Sequence, residues 1–373
     1  MNAVSTRRLQ VAGTALVVAS LLAAGCSSGA TASKQGEHGS SGASKIALLL
    51  PESKTTRYEA HDRPLFAHEL SKVCPSCKLL YSNADQDSAK QQQQAEAAIT
   101  NGARVLVLDP VDGEAAAAIV NKANSAGVKV LDYERLIPNA KVDWYVSYDN
   151  LTVGKMQATA LVQKMTSAGK PNGTIIMING SPADNNARLF KQGAHSVLDA
   201  SGLKIGAEYD TPDWSPDAAQ QEVQQAITRI GAGKIDGVYA ANDGTAGGAI
   251  AAMKQAGMSP LPPLTGQDAE IAAIQRILAG QQFMTIYKAI APEATLSADV
   301  AYALAQGKPV PANAFNQTVA NGGADVPSMI YKPTVVTVDN ARSTVFADSF
   351  VTYAQVCTAQ YAAACAKAGI VSQ

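Results

Sequence analysis

Carboxylates, amides, guanidinium groups and aromatic rings recur in short clusters along this chain, each placed just after an apolar run. The first is Thr55-Thr56-Arg57-Tyr58, with Asp62-Arg63 one helical turn on. Asp109-Pro110-Val111-Asp112 and Glu134-Arg135 follow, then Asp184-Asn185-Asn186, Asp213-Trp214, Asn242-Asp243, Gln267-Asp268 and Tyr287-Lys288. Such groups hydrogen-bond neighbouring hydroxyls, each of which both donates and accepts. Charged partners make the stronger bonds. Tyr58 and Trp214 add apolar faces. A sugar ring, with hydroxyls at its rim and C–H patches on its faces, needs both kinds of group. Taken singly, each residue also suits a helix cap or a turn, and Asp112, Asp213 and Asp243 suit that role best. The binding reading rests on the constellation.

Other chemistries find less support. No G-x-G-x-x-G follows a strand-like run and no G-x-x-x-x-G-K-[ST] occurs, so a phosphate cradle is not indicated. Gly231-Ala232-Gly233-Lys234 lacks both the spacing and the following Ser or Thr. The four histidines, His38, His61, His68 and His195, have no metal-ligand spacing, so neither a metal nor a cofactor is expected. A Ser–His–Asp triad lacks its nucleophile elbow. Glu134 and Asp268 could act as a glycosidase pair only if held about 5–10 Å apart. The plainer reading has both accept hydrogen bonds from a ligand.

The elements that must position these clusters form a repeated strand-then-helix pattern. Residues 46–50, 79–82, 105–108 and 128–131 read as strands, and 58–73, 87–100 and 113–126 as helices. The glutamines at 91–94 read as a solvated helix face. The second half reads as strands over 174–178, 205–209, 237–241 and 264–265, with helices over 187–200, 217–230 and 245–256. A further strand, 283–286, precedes Tyr287-Lys288. This alternation implies parallel sheets covered on both faces, with right-handed crossovers. The halves align: Ala103 to Asp112-Gly113, a helix, then Ala126-Gly127 corresponds to Lys234 to Asp243-Gly244, a helix, then Ala256-Gly257. The expected fold is α/β, with two similar doubly wound parallel-sheet lobes. Its polar clusters lie at the carboxyl ends of strands, where open α/β sheets bind ligands.

Composition agrees. The 373 residues include 30 Lys+Arg and 31 Asp+Glu, a formal net charge of −1, with 47% hydrophobic and 16% charged residues. These values are near the globular norm and exclude a disordered chain or a basic nucleic-acid binder. Residues 1–26 read as a lipoprotein signal peptide. Arg7-Arg8 precede an apolar run over 11–25 that is short for a bilayer span and suits a secretory core segment. Leu21-Leu22-Ala23-Ala24-Gly25-Cys26 resembles the bacterial lipobox, which implies lipidation of Cys26, although Ala23 stands where leucine is usual. An ordinary secretory signal is the alternative. Residues 27–44, of which ten of 18 are Ser or Gly, read as a flexible tether. The expected location is extracytoplasmic, on the outer face of the cell membrane.

Five cysteines fit an oxidising compartment: Cys26 for the lipid, and the close pairs Cys74/Cys77 and Cys357/Cys365. Cys74-Pro75-Ser76-Cys77 follows a helical stretch instead of opening one, which favours a structural disulfide over a redox pair. Cys357 and Cys365 would lie about 12 Å apart on one continuous helix. Their pairing requires the helix to break between them.

Taken in order, several segments look familiar: Thr56-Arg57-Tyr58 with Asp62-Arg63, 130–137 (VLDYERLI), Ser147-Tyr148-Asp149-Asn150 with Val153-Gly154, Gly180-Ser181-Pro182-Ala183-Asp184-Asn185-Asn186-Ala187, 242–248 (NDGTAGG), Gly266-Gln267-Asp268-Ala269 and Tyr287-Lys288. Together they resemble the periplasmic sugar-binding proteins of ABC importers, pentose/hexose type, and most closely the D-xylose-binding proteins. The resemblance covers most of 45–338. It implies the type I periplasmic-binding-protein fold, two α/β lobes joined by a three-segment hinge. It also implies that Arg57, Glu134, Arg135, Asp184, Asn186, Asn242, Asp268 and Lys288 hydrogen-bond the sugar, with Tyr58 and Trp214 stacking on it. Two positions depart: the family usually has tryptophan at the place of Tyr58 and aspartate at that of Glu134. The extra methylene of glutamate shifts the carboxylate by about 1 Å, enough to alter ring preference. The pair Cys357/Cys365 finds no counterpart in this pattern.

The resemblance sets a further expectation. A first lobe, 45–150 plus 290–328, and a second, 151–289 plus 329–373, meet at crossings near Asn150, Ala289 and Ser328. A monosaccharide, D-xylose before others, favours closure. The closed monomer, held to the membrane by its lipid, delivers the sugar to the permease of an ABC importer and performs no chemistry. Alternatives are a receptor for arabinose, ribose, galactose or glucose, or a sensor docking a membrane receptor, which a neighbouring kinase gene would reveal. An extracellular glycosidase would turn over aryl glycosides. A transcription regulator with this core would need an N-terminal helix-turn-helix, a place taken here by the signal and tether.

Overall fold

Apolar strands alternate with helices throughout the computed structural model, which describes residues 43–371. The signal peptide expected over 1–26, lipidation at Cys26 and the tether up to residue 42 lie outside the described residues. In the first half β1 (Lys45–Leu50), α1 (Arg63–Val73), β2 (Lys78–Asn83), α2 (Ser88–Thr100), β3 (Ala103–Leu108), α3 (Gly113–Ser125), β4 (Lys129–Tyr133) and β5 (Trp144–Tyr148) follow one another. The second half runs through α4 (Asn150–Ser167), β6 (Thr174–Asn179), α5 (Asn185–Leu198), β7 (Lys204–Asp210), α6 (Pro216–Ile230), β8 (Gly237–Ala240), α7 (Asp243–Gln255), α8 (Ile271–Leu278) and β9 (Thr285–Tyr287). Then come α9 (Ile290–Ala305), β10 (Gln317–Ala320), β11 (Asp325–Tyr331), β12 (Thr334–Val336), α10 (Tyr353–Val356) and α11 (Ala362–Lys367).

The first sheet has the order β10-β11-β5-β4-β3-β1-β2 and is parallel except for the β10–β11 hairpin. The hairpin turns at Asn321-Gly322, where Gly322 has φ +89° and the Asn321 side chain accepts from the amides of Gly323 and Ala324. The second sheet has β7-β6-β8 in parallel. Bridges Val238↔Leu264 and Gln267↔Ile286 carry it on to β9, against which β12 runs antiparallel. The antiparallel edges depart from purely parallel lobes, because β10 and β12 enter their sheets from the end opposite to that of the parallel strands.

Side-chain alternation fills both faces of each sheet. Ile46, Leu48 and Leu50 face α1 and α9, while Ala47 and Leu49 face α2 and α3. In the second lobe Ile175 and Met177 face one core, and Ile176 and Ile178 the other. Burial on both sides is why these strands are continuous apolar runs. Trp144 is fully buried in the first lobe and donates its indole N–H to the Ala314 carbonyl at 2.7 Å.

The chain passes between the sheets three times. Two passages fall after Tyr148 and after Tyr287. The third lies between Tyr331 and Thr334, later than the crossing expected near Ser328, because Met329, Ile330 and Tyr331 still pair with β5. The structure joins Cys74 to Cys77 just beyond α1, and Cys357 to Cys365 with Cα atoms 5.9 Å apart. The latter is reached because α10 stops at Val356 and α11 starts at Ala362. Among the described residues no helix is long and apolar enough to cross a membrane.

Candidate functional site

Strand ends and helix caps bring the polar clusters to the junction of the two lobes. Asp112, Asp149, Asp184 and Asn242 each cap the helix that follows, accepting from the amides of Ala115, Thr152, Asn186 and Thr245. Capping orients these residues, but Asp184 and Asn242 also face the cleft. Asp112 serves only its cap, and Asp213 is exposed at φ +55°. Asp243 is buried behind the site, accepting from Gln282 Nε2, Thr285 Oγ1 and the Glu270 amide.

From the first lobe, Arg57 opens a wide helical turn, Tyr58–Asp62, that runs into α1. Three carboxylates hold its guanidinium. Nε and Nη2 donate to the two oxygens of Asp62 at 2.9 and 2.6 Å, Nη2 also to Glu293 at 2.7 Å, and Nη1 to Glu134 at 3.4 Å. Arg135 donates to the Tyr58 hydroxyl at 3.1 Å and to the Pro110 carbonyl at 3.3 Å. Its Nε lies 3.1 Å from Asp184 Oδ2 of the opposite lobe.

From the second lobe, Lys288 Nζ donates to Glu134 Oε1 at 2.8 Å and lies 3.9 Å from Asp268 Oδ1. Asn186 Nδ2 donates to Glu134 Oε2 at 3.1 Å. Trp214 donates its indole N–H to Asp184 Oδ2 at 3.1 Å and sets its ring edge-on to Phe190. That ring lies against Gly180, where an added Cβ would come within 2.1 Å of it. Asn242 Nδ2 reaches Thr55 Oγ1 at 3.4 Å across the cleft.

All ten residues expected at the site, Arg57, Tyr58, Glu134, Arg135, Asp184, Asn186, Trp214, Asn242, Asp268 and Lys288, line one cavity. None is more than 5% exposed. Three further residues line it: Thr55, Phe190 and Gln267. Thr55 and Gln267 stand beside expected residues within the polar clusters, whereas Phe190 reads only as a core residue of α5. Among the described residues, Asn186 Oδ1 and Gln267 Oε1 are buried without a hydrogen-bond partner. Buried amide oxygens of this kind are costly unless something donates to them.

Three lining residues sit at positive φ: Glu134 at +63°, Trp214 at +53° and Asp268 at +93°. Non-glycine residues rarely adopt this conformation, and it concentrates at ligand sites. Electrostatics follow from the packing. Burial opposes the charge on Glu134, but Lys288, Arg57 and Arg135 outweigh it and hold the carboxyl down at about 2. Burial pushes Asp184 and Asp268 up, with Arg135 and Lys288 respectively pulling the other way. Burial likewise lifts Glu293 to about 8, against the pull of Arg57. Glu293 was not among the expected residues. Its signal was a lone carboxylate on a helix face otherwise made of Ile290, Ala294, Ala298 and Ala301. Among the described residues no group of three or more His, Cys, Asp or Glu is arranged to hold a metal.

Comparison with known proteins gives consistent matches. The family model described as "Periplasmic binding protein domain" matches residues 46–309. The D-xylose-binding periplasmic protein of Haemophilus influenzae is 38% identical over 310 residues, covering 82% of this chain and 90% of the relative. That of Escherichia coli is 36% identical, with the same coverage. A crystal structure of an ABC transporter solute-binding protein from Clostridium phytofermentans with bound β-D-glucose superposes with a TM-score of 0.76 at 27% identity, covering 84% of this chain and 99% of that one.

Proposed function

The chain belongs to the periplasmic sugar-binding proteins of ABC transporters, and on that premise we propose that its ligand is D-xylose, taken up between the two lobes. The observation that carries this reading is the convergence of paired cations, carboxylates and amides from both lobes on one enclosed cavity, with Asn186 Oδ1 and Gln267 Oε1 unpartnered there.

In this reading Arg57, Glu134, Arg135, Asp184, Asn186, Asn242, Asp268 and Lys288 hydrogen-bond the hydroxyls, and Tyr58 and Trp214 cover the ring faces. The three passages between the sheets act as the hinge. Sugar contacts from both lobes favour the closed form, which hands the sugar to the membrane permease. The protein works as a monomer, held outside the cytoplasm by lipid on Cys26. It catalyses nothing: Lys288 stands beside both Glu134 and Asp268, an arrangement that suits hydrogen-bond acceptors better than an acid and a base.

A thermal-shift panel of pentoses and hexoses tests the ligand. A sugar at 100 times its Kd stabilises by about 2.7 kcal/mol, a shift of several degrees at this size. A shift with D-xylose alone is expected. The neighbour holding β-D-glucose favours a second reading, a receptor for several monosaccharides, which equal shifts with D-glucose and D-xylose would support. No shift with any monosaccharide would overturn both.

A further inference from the structure

The segment beyond β12 takes no part in the cavity. It forms an apolar unit of its own, in which Val345, Val351, Val356, Cys365 and Ile370 pack on α8 and β9. The Cys357–Cys365 bridge closes this unit. Gln275 Nε2 of α8 ties it down by donating to the carbonyls of Gln355 and Val356 at 3.3 and 3.1 Å.

Phe350 reaches out of this unit and packs both on it and on the core of the first lobe. Its ring stacks on His61, with centroids 4.2 Å apart and planes at 17°. It also lies 4.9 Å from the ring of Tyr287 at 58°. His61 belongs to the wide turn Tyr58–Asp62 that Arg57 opens. Tyr287 ends β9, next to Lys288. An aromatic bridge, Tyr287–Phe350–His61, therefore runs from lobe to lobe beside the polar bridge Lys288–Glu134–Arg57. At one end the two bridges rest on consecutive residues, Tyr287 and Lys288, and at the other on Arg57 and His61, four positions apart along the same wide turn.

We infer that Phe350 is a positioning residue for the ligand site. By pinning the turn that carries Arg57 and Tyr58 to the end of β9, it sets the closed spacing of Arg57 and Lys288. The disulfide-closed C-terminal segment thereby governs how firmly the cleft stays shut. This rests on the ligand-binding reading above. Neither Phe350 nor His61 lines the cavity, so both act through their neighbours. A stacked ring pair adds to the area it buries, and parting the lobes at this contact forfeits that gain.

The test is a double-mutant cycle in the full chain: Phe350→Ala, His61→Ala and both together. It is read by D-xylose calorimetry and by small-angle scattering without sugar. Each single variant is expected to weaken binding about three- to tenfold, through faster release, and to scatter as a more open form. The double variant is expected to be no weaker than either single one. His61→Phe, which keeps a flat ring, should restore affinity, and Cys357→Ser with Cys365→Ser should reproduce the loss. Phe350→Leu, which keeps the apolar contact but not the ring, serves if the alanine variant does not fold. Unchanged affinity, or losses that simply add, would overturn the inference. If the wild-type protein binds no sugar, scattering decides alone. A more open variant then upholds the aromatic bridge while the sugar reading fails, and an unchanged one overturns the bridge.

Discussion

Lys288 Nζ and Glu134 Oε1 meet at 2.8 Å although their residues belong to different lobes. The same carboxylate takes Asn186 from the second lobe and Arg57 from the first. Glu134 is thus a point at which both halves of the cleft meet, beside the Arg135–Asp184 and Asn242–Thr55 contacts, and its position at φ +63° aims it there.

Acid should expose this role. The cations around Glu134 hold its carboxyl at about 2, below its unfolded value of about 4.3. A depressed carboxylate contributes stability that is present above the unfolded value and lost as pH falls toward the folded one. Thermal unfolding of the wild type should therefore weaken between about pH 4.3 and pH 2. Glu134→Gln should show a shallower decline over that window and a lower Tm at pH 7. Parallel curves for the two proteins would refute the assignment.

Glu293 has the opposite sign. Burial raises it to about 8, so its contribution is complete below about pH 4.3 and fades as pH rises to 8. Glu293→Gln should flatten that decline and cost little at neutral pH. Glu293→Ala should cost more, about 1–3 kcal/mol, by leaving an Arg57 donor unmatched. Denaturant titrations at pH 5, 7 and 9 separate the two.

Gly180→Ala should damage binding without touching a polar group. Its new Cβ would come within 2.1 Å of the Trp214 ring, which must move and release Asp184. D-xylose affinity should fall at least tenfold. Trp214→Phe, which keeps an apolar face but leaves Asp184 without its indole donor, should cost about 1–3 kcal/mol. Calorimetry giving wild-type affinity for Gly180→Ala would show that the indole face is not used.

Asn186→Ala and Asp268→Asn should weaken D-xylose binding about ten- to hundredfold, the range for hydrogen bonds that involve a charged partner. Tm without sugar should change by only a few degrees. Losses in Tm as large as the losses in affinity would assign both residues to folding.

Much of the fold was legible because strands buried on both faces must be apolar throughout. Residues 46–50, 105–108 and 174–178 announced β1, β3 and β6 in this way. The polar residues at the strand ends then marked the site, and all ten expected residues line its cavity. What escaped lacked that contrast. The strand Trp144–Tyr148 mixes rings with a serine, and the edge strand Gln317–Ala320 is mostly exposed. Positive φ at Glu134, Trp214 and Asp268 leaves no mark on residues other than glycine. Phe350 could not be tied to His61, because a contact across 289 positions rests on tertiary packing alone.

The two tryptophans are divided between the lobes. Trp144 is sealed in the first, its N–H committed to the Ala314 carbonyl, while Trp214 borders the cavity in the second. Emission from Trp144 should stay constant when a ligand enters, and emission from Trp214 should not. The molecule therefore carries its own optical gauge, with a fixed reference and a single responsive channel. Stopped-flow fluorescence can follow the approach of a sugar to one indole face with no dye attached.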